Sequence, residues 1–111
     1  MPMTRGLLTT VYIPLKKAMD RQGLHDHFAK FYKSERFVRV LEAGQYANTA
    51  HVAGSNFCDI GVQVDTRNQR AIVTSAIDNL MKGASSQAIQ NMNLMLGIDE
   101  TTGLDAPPLF P

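Results

Sequence analysis

Four sets of side chains in this chain are of types that chemistry uses. They are one cysteine, three histidines, two aspartates on one alternating stretch, and the group Asp78, Asn79, Lys82 and Gly83 just ahead of an apolar segment. Cys58 is the sole thiol, and activated thiols sit in exposed, electropositive surroundings. Here it alternates with Ile60 and Val62, where a cysteine behaves as a small apolar residue. His25 and His27, two apart on a helix, point in different directions, and His51 falls in a loop. None has the i, i+4 spacing that lets two imidazoles grip one metal, so no metal site is expected and His25 reads as solvated. Asp59 and Asp65 share the outer face of a strand. Nothing in their surroundings points to the raised pKa that a general acid needs, and hairpin faces carry such charges routinely.

Asp78, Asn79, Lys82 and Gly83 are different. They precede a helix, where unpaired backbone N–H groups and the helix dipole favour anions. Two readings stand level on spacing alone: a ligand-binding turn, or a helix cap with a solvated lysine. The helix that follows carries no charge over residues 83–98, where ordinary soluble composition would place roughly three or four. Ala84, Ala88, Ile89, Met92, Met95 and Leu96 lie on one side and amides and hydroxyls on the other. Both sides therefore need cover: the chain's own sheet for one, and a partner domain, a second subunit or a cofactor for the other.

The elements that must hold these residues follow from periodicity. Residues 4–13 alternate as a β-branched strand that Pro14 ends. Both faces are apolar, which predicts a strand inside a sheet. Residues 21–33 place Leu24, Phe28, Phe31 and Tyr32 at helical spacing with His25, Asp26, Lys30 and Lys33 turned away. Residues 37–41 read as a short strand, and 42–55 as irregular. Residues 57–65 alternate clearly, with Cys58, Ile60, Val62 and Val64 toward a core and Asp59, Gln63 and Asp65 away. Residues 66–69 make a hairpin loop that returns 70–78 antiparallel and sets Arg70 opposite Asp65. Gly97 suits a left-handed helix end, and 99–111 reads as an extended tail. The order β-α-β-β-β-α predicts an α+β domain, a mostly antiparallel sheet with helices packed on it.

At 111 residues, 44% hydrophobic and 19% charged with a net charge of +1, the chain makes one small domain. The charges are mixed in sign along the sequence, which excludes a general nucleic-acid or acidic-membrane binder. No apolar run approaches the length of a membrane span. One cysteine excludes an internal disulfide framework. No Gly-rich dinucleotide motif, P-loop or serine elbow is present.

Five stretches, PMTRG, FVRVL, GSNFCDIGV, SAIDNLMKGASSQAIQNMNLMLG and ETTGL, occur in this order. Together they closely resemble the C-terminal part of the N-acetyl-gamma-glutamyl-phosphate reductase family, over essentially the whole chain. The resemblance implies a glyceraldehyde-3-phosphate dehydrogenase-like C-terminal domain within the semialdehyde dehydrogenases. It also implies NADPH-dependent reduction of N-acetyl-gamma-glutamyl phosphate to N-acetylglutamate 5-semialdehyde, with phosphate release, in arginine biosynthesis. That chemistry runs through a cysteine thiolate and a histidine that precede the segment matching PMTRG, as does the nucleotide-binding domain, so residues 1–111 are expected to be a partial catalytic and dimerisation domain, inactive alone. Cys58 matches a family cysteine in the sheet and not the nucleophile. The resemblance implies that Asn79 holds the nicotinamide carboxamide, that Lys82, Gly83 and Ala84 shape the NADP pocket, and that Arg5 faces substrate or makes a structural salt bridge. Ser86 stands where the family usually has glycine, a harmless change if its backbone is helical. A homo-oligomer is implied, with no nucleic acid or membrane partner, in the cytoplasm or, in a plant or alga, the plastid. The alternative is a stand-alone oligomerisation module derived from this domain.

Overall fold

In a computed structural model that describes residues 2–109, four strands form one sheet. They are β1 (Leu7–Pro14), β2 (Val38–Val40), β3 (Cys58–Asp65) and β4 (Arg70–Ile77), in spatial order β1-β4-β3-β2. Helix α1 (Arg21–Phe31) lies between β1 and β2 in sequence, and α2 (Ser86–Met95) follows β4. β4 is antiparallel to both β1 and β3, whereas β2 runs parallel to β3. The α+β architecture and element order expected from periodicity are those observed.

The β3–β4 hairpin shows how alternation becomes packing. Asp65 pairs with Arg70, Val64 with Ala71 and Val62 with Val73. This puts Ile60, Val62, Ala71 and Val73 on one face, where they bury with Leu24 of α1 and pack against Phe28, Tyr32, Cys58 and Val64. Asp65 accepts from the backbone N–H groups of Arg67 and Asn68 and so closes the loop. α1 begins at Asp20, whose carboxylate accepts from the Gly23 N–H at 2.7 Å, a side-chain cap for an otherwise unpaired donor. Phe31, expected on the inward side, is 72% exposed. It sits in the last turn, against the edge of the Tyr32 ring, whose centroid is 4.9 Å away.

The opposite face of the sheet is covered by the long connection between β2 and β3, with Phe37, Ala47, Val52, Phe57, Ala76 and Leu104 forming a second core. This cover overturns the placing of Asp59 on an outer, solvated face. Asp59 is buried and receives Arg39 Nε and Nη2 at 2.6 and 3.0 Å, a two-pronged ion pair that offsets the loss of water. Gly61 is where the connection crosses closest, since a Cβ there would lie 2.5 Å from the Gln45 carbonyl oxygen and 2.9 Å from Thr74 Oγ1. The tail is also more structured than expected: residues 99–104 turn, Leu104 enters the core, and the Leu109 N–H donates to the Ala53 carbonyl at 2.9 Å. Pro111, part of that expectation, lies outside the described residues.

β1 departs most from its sequence pattern. It was expected inside a sheet, but it is an edge strand of the described sheet, exposed along its whole length, because α1 packs on β3 and β2 rather than on β1. Its apolar side chains stay exposed on both faces within the described residues.

Replacing Gly61 by alanine overpacks the crossing and should cost about 1–3 kcal/mol. Urea unfolding of the two forms, compared by midpoint at equal slope, measures this.

Candidate functional site

The C-terminal end of β4 meets the N-terminal end of β1, and there the chain buries a carboxylate. Asp78 is 1% exposed. Its Oδ1 accepts from the N–H groups of Leu80 and Met81 at 2.9 and 3.3 Å, and its Oδ2 from the Gly54 N–H at 2.7 Å. Arg5 Nε reaches both oxygens, at 3.0 and 2.8 Å. Burial pushes the Asp78 pKa up, but the Arg5 guanidinium and the three backbone donors oppose it and leave the carboxyl below its ordinary value. Of the two roles the sequence left open for Arg5, the structure shows the salt bridge.

Asn79, the next residue, turns its Oδ1 to the Gly6 N–H at 2.7 Å. A backbone N–H requires an acceptor, so the amide orientation is fixed. Among the described residues neither Asn79 Nδ2 nor the two Nη groups of Arg5 has a hydrogen-bond partner. Arg5 is 42% exposed on its side chain, so these donors stand at an accessible corner. Their chemistry suits carbonyl, carboxylate or phosphate oxygens.

The segment after Asn79 is tighter than a loop and wider than an α-helix. Met81–Ser85 forms a π-helical turn in which the Ser85 N–H reaches the Leu80 carbonyl at 3.1 Å, and α2 continues from it. Lys82 points inward: its Nζ donates to Gln90 Oε1 at 2.6 Å and lies 5.6 Å from the centroid of the Phe37 ring. Burial lowers its pKa, with Cys58 and Glu100 pulling the other way. Gly83 and Ala84 are exposed; Gly83 is not left-handed, and an added Cβ there would come no nearer than 3.4 Å to Ile77 Cδ1. Ser86 is helical at φ −71, ψ −37 and buried, so a side chain in place of glycine is accommodated.

The sequence asked for cover on both sides of α2, and the side that the chain itself covers is the amide side. Its buried residues are Ser86 and Asn93, and the half-buried Gln90 faces the same way. Gln90 Oε1 also accepts from Asn56 Nδ2 at 3.0 Å, and Gln90 Nε2 donates to Glu100 Oε2 at 3.0 Å. Asn93 Nδ2 donates to the carbonyls of Glu100 and Thr102. The amide side therefore grips its own chain, while Ile89, Met92, Met95 and Leu96 are exposed, Met95 at 85%. Gly97 ends the helix at φ 67, with the Ile98 N–H donating to the Asn93 carbonyl and the Gly97 N–H to that of Leu94, the left-handed end expected.

Residues 1–79 match the family described as semialdehyde dehydrogenase, dimerisation domain. The chain belongs to this family. N-acetyl-gamma-glutamyl-phosphate reductases of Thermoanaerobacter sp. (strain X514), Geobacter metallireducens and Staphylococcus saprophyticus are 59%, 57% and 54% identical to it over 110 residues. Each alignment covers 99% of this chain and 32% of the relative, so the chain spans about a third of the length of these relatives. Aspartate semialdehyde dehydrogenase II of Vibrio cholerae superposes with a TM-score of 0.68 at 17% identity, over 86% of this chain and 28% of that one, which shows a shared fold.

Cys58 is half-buried, and burial, with the Asp59 charge secondary, raises its pKa. His25 Nδ1 lies 3.2 Å from Asp26 Oδ1 and is less open than its solvated reading. No group of three or more His, Cys, Asp or Glu able to hold a metal occurs among the described residues. No described helix is long and apolar enough to cross a membrane. Gly6, Gly54, Asn56, Gln90 and Glu100 were not legible as site residues. The first two act through backbone N–H groups that leave no compositional mark, and the others act through partners brought in by the fold. The missing charge on α2 was the one available signal for Gln90 and Asn93.

Because the Asp78 pKa is depressed in the fold, its contribution is present above the unfolded value of about 4 and is lost as pH falls through the lower folded value. Arg5→Met should cost about 1 kcal/mol near neutral pH, allowing for solvent screening of a part-exposed guanidinium, and nothing once Asp78 is protonated. Urea unfolding from neutral pH to pH 2 checks both limbs. The native Cys58 thiol should alkylate at least about tenfold more slowly than in the unfolded chain at slightly alkaline pH, read by mass spectrometry over time.

Proposed function

We propose that these residues are the C-terminal part of an NADPH-dependent N-acetyl-gamma-glutamyl-phosphate reductase, forming one wall of its cofactor and substrate site. Identity above 50% to reductases over the full chain supports this, and the observation that carries it is the fixed donor corner of Asn79 Nδ2 and Arg5 Nη. A bound nicotinamide supplies the hydride; what this chain does is orient and exclude. Asn79, its oxygen held by Gly6, offers N–H to a carboxamide oxygen and so selects the ring face presented. Arg5, its Nε spent on Asp78, offers its Nη groups to a phosphate or carboxylate oxygen of the substrate. Gly83 and Ala84 allow close approach along the exposed side of the π-helical turn. Lys82 fits this role poorly in its present rotamer and supports the wall from behind, through Gln90.

The thiolate nucleophile and the catalytic histidine of this reaction lie outside the 111 residues, as does the nucleotide-binding lobe, against which the exposed apolar side of α2 would pack. The working assembly is a homo-oligomer in the bacterial cytoplasm. The rival, a stand-alone oligomerisation module, needs the same open surfaces but no donor corner.

The purified 111-residue chain should oxidise no NADPH with the acyl phosphate. Within a complete reductase that carries these residues, Asn79→Ala should raise the NADPH KM at least about tenfold. Turnover by the chain alone, or an unchanged KM in that variant, would count against the reading.

A further inference from the structure

We propose that the end of the sheet formed by residues 15–21 and the β3–β4 loop is a docking site for an acidic segment of another protein, which seats one aliphatic side chain among the cations. The charges come from two stretches far apart in sequence, and only the fold gathers them.

β1 leaves the sheet at Pro14, opposite Arg70, and the Leu15 N–H donates to the Gln69 carbonyl at 2.8 Å. Residues 15–21 are thereby tied to the loop. Residues 15–21 and 64–70 together carry Lys16, Lys17, Arg21, Arg67 and Arg70 against Asp20 and Asp65. This is a net charge of +3 in a chain whose total is +1, so the imbalance is local. All five cations are exposed, and among the described residues none of them makes a salt bridge. The two carboxylates serve their own turns. Asp20 accepts from the Gly23 N–H at 2.7 Å, and Asp65 from the Arg67 and Asn68 N–H groups at 3.1 and 3.3 Å. Arg70 stands across from Asp65; Lys16, Lys17, Arg21 and Arg67 are left to solvent.

Between these charges lies a cleft of about 70 Å³ lined by Leu15, Ala18, Met19, Val64, Thr66 and Gln69. By the same measure one water needs about 10–15 Å³, so the cleft has room for one aliphatic side chain. The stems of the surrounding lysines and arginines extend its apolar wall while their charged ends reach outward. A free phosphate or carboxylate would leave the cleft unfilled. A purely apolar partner would leave the cations unanswered. No aromatic side chain lines the cleft to stack a base, which weighs against single-stranded nucleic acid. An acidic segment with one aliphatic residue satisfies both features, the side chain as anchor and the flanking carboxylates as the complementary charge.

The test uses the 111-residue chain and a complete reductase that carries these residues. Fluorescence anisotropy of a labelled heptapeptide, glutamates around a central leucine, should show saturable binding to both with a Kd below about 1 mM at low salt, weakening as salt is raised. Serine in place of the leucine should weaken it at least about fivefold. Lys16→Glu combined with Arg67→Glu should weaken it at least about tenfold. Ala18→Leu, which fills the cleft, should erase the difference between the leucine and serine peptides. These positions are exposed, so the far-ultraviolet spectrum should not change. Absence of binding, equal binding of a peptide with lysines for glutamates, or indifference to both variants would overturn the proposal. So would tighter binding of a uridine oligonucleotide or of anionic lipid vesicles. Binding by the 111-residue chain but not by the complete reductase would also overturn it, by showing that the enzyme's own polypeptide fills the site.

Discussion

A carboxylate held away from water is the constraint on which this structure turns. An ionised aspartate that loses its hydration is tolerated only when charge and hydrogen bonds replace it. Asp78 recruits these from three parts of the chain: Arg5 ahead of β1, Gly54 in the long connection, and the π-helical turn through Leu80 and Met81. Each bond is short in reach and strict in direction. The segments that supply them are thus registered against one another. Asn79 inherits that precision, because its neighbours on both sides are pinned and Gly6 holds its oxygen. A side chain that must present one donor in one direction is best placed next to such an anchor.

The same economy of polar groups explains α2. A helix normally docks by its apolar stripe, but this one docks through Ser86, Gln90 and Asn93. Gln90 stands between Lys82 and Glu100, accepting from one and donating to the other, so a neutral amide links a cation to an anion without either being left buried alone. With the polar side spent inward, Ile89, Met92, Met95 and Leu96 form an outward apolar surface. β1 presents another. Open surfaces of this kind mark sites of association, and they separate this chain from an ordinary self-sufficient small domain.

Much of the fold was legible because it is local. Alternation at Cys58, Ile60, Val62 and Val64, the four-residue return and the pairing of Asp65 with Arg70 all depend on residues close in sequence. So do the Asp20 cap, the amphipathic run containing Leu24 and Phe28, and the left-handed end at Gly97. The site was half legible: Arg5, Asn79 and Gly83 could be named from a resemblance, yet their partners could not. Asp59 shows why, since an aspartate on the polar face of a strand reads as solvated until Arg39 and the covering connection are known.

By itself the sequence determined which segments are strand and which helix, that they make an α+β unit, and that the final helix lacks a charged face, because these follow from spacing and residue type along the chain. Only the tertiary structure decided which side of α2 turns inward, that β1 ends at an edge, and that Arg5 closes on a residue 73 positions away. The physical reason is the same in each case. Hydrophobic pattern states that a face must be covered, but the identity of the cover depends on directional bonds between distant groups, and those exist only once the chain has closed on itself.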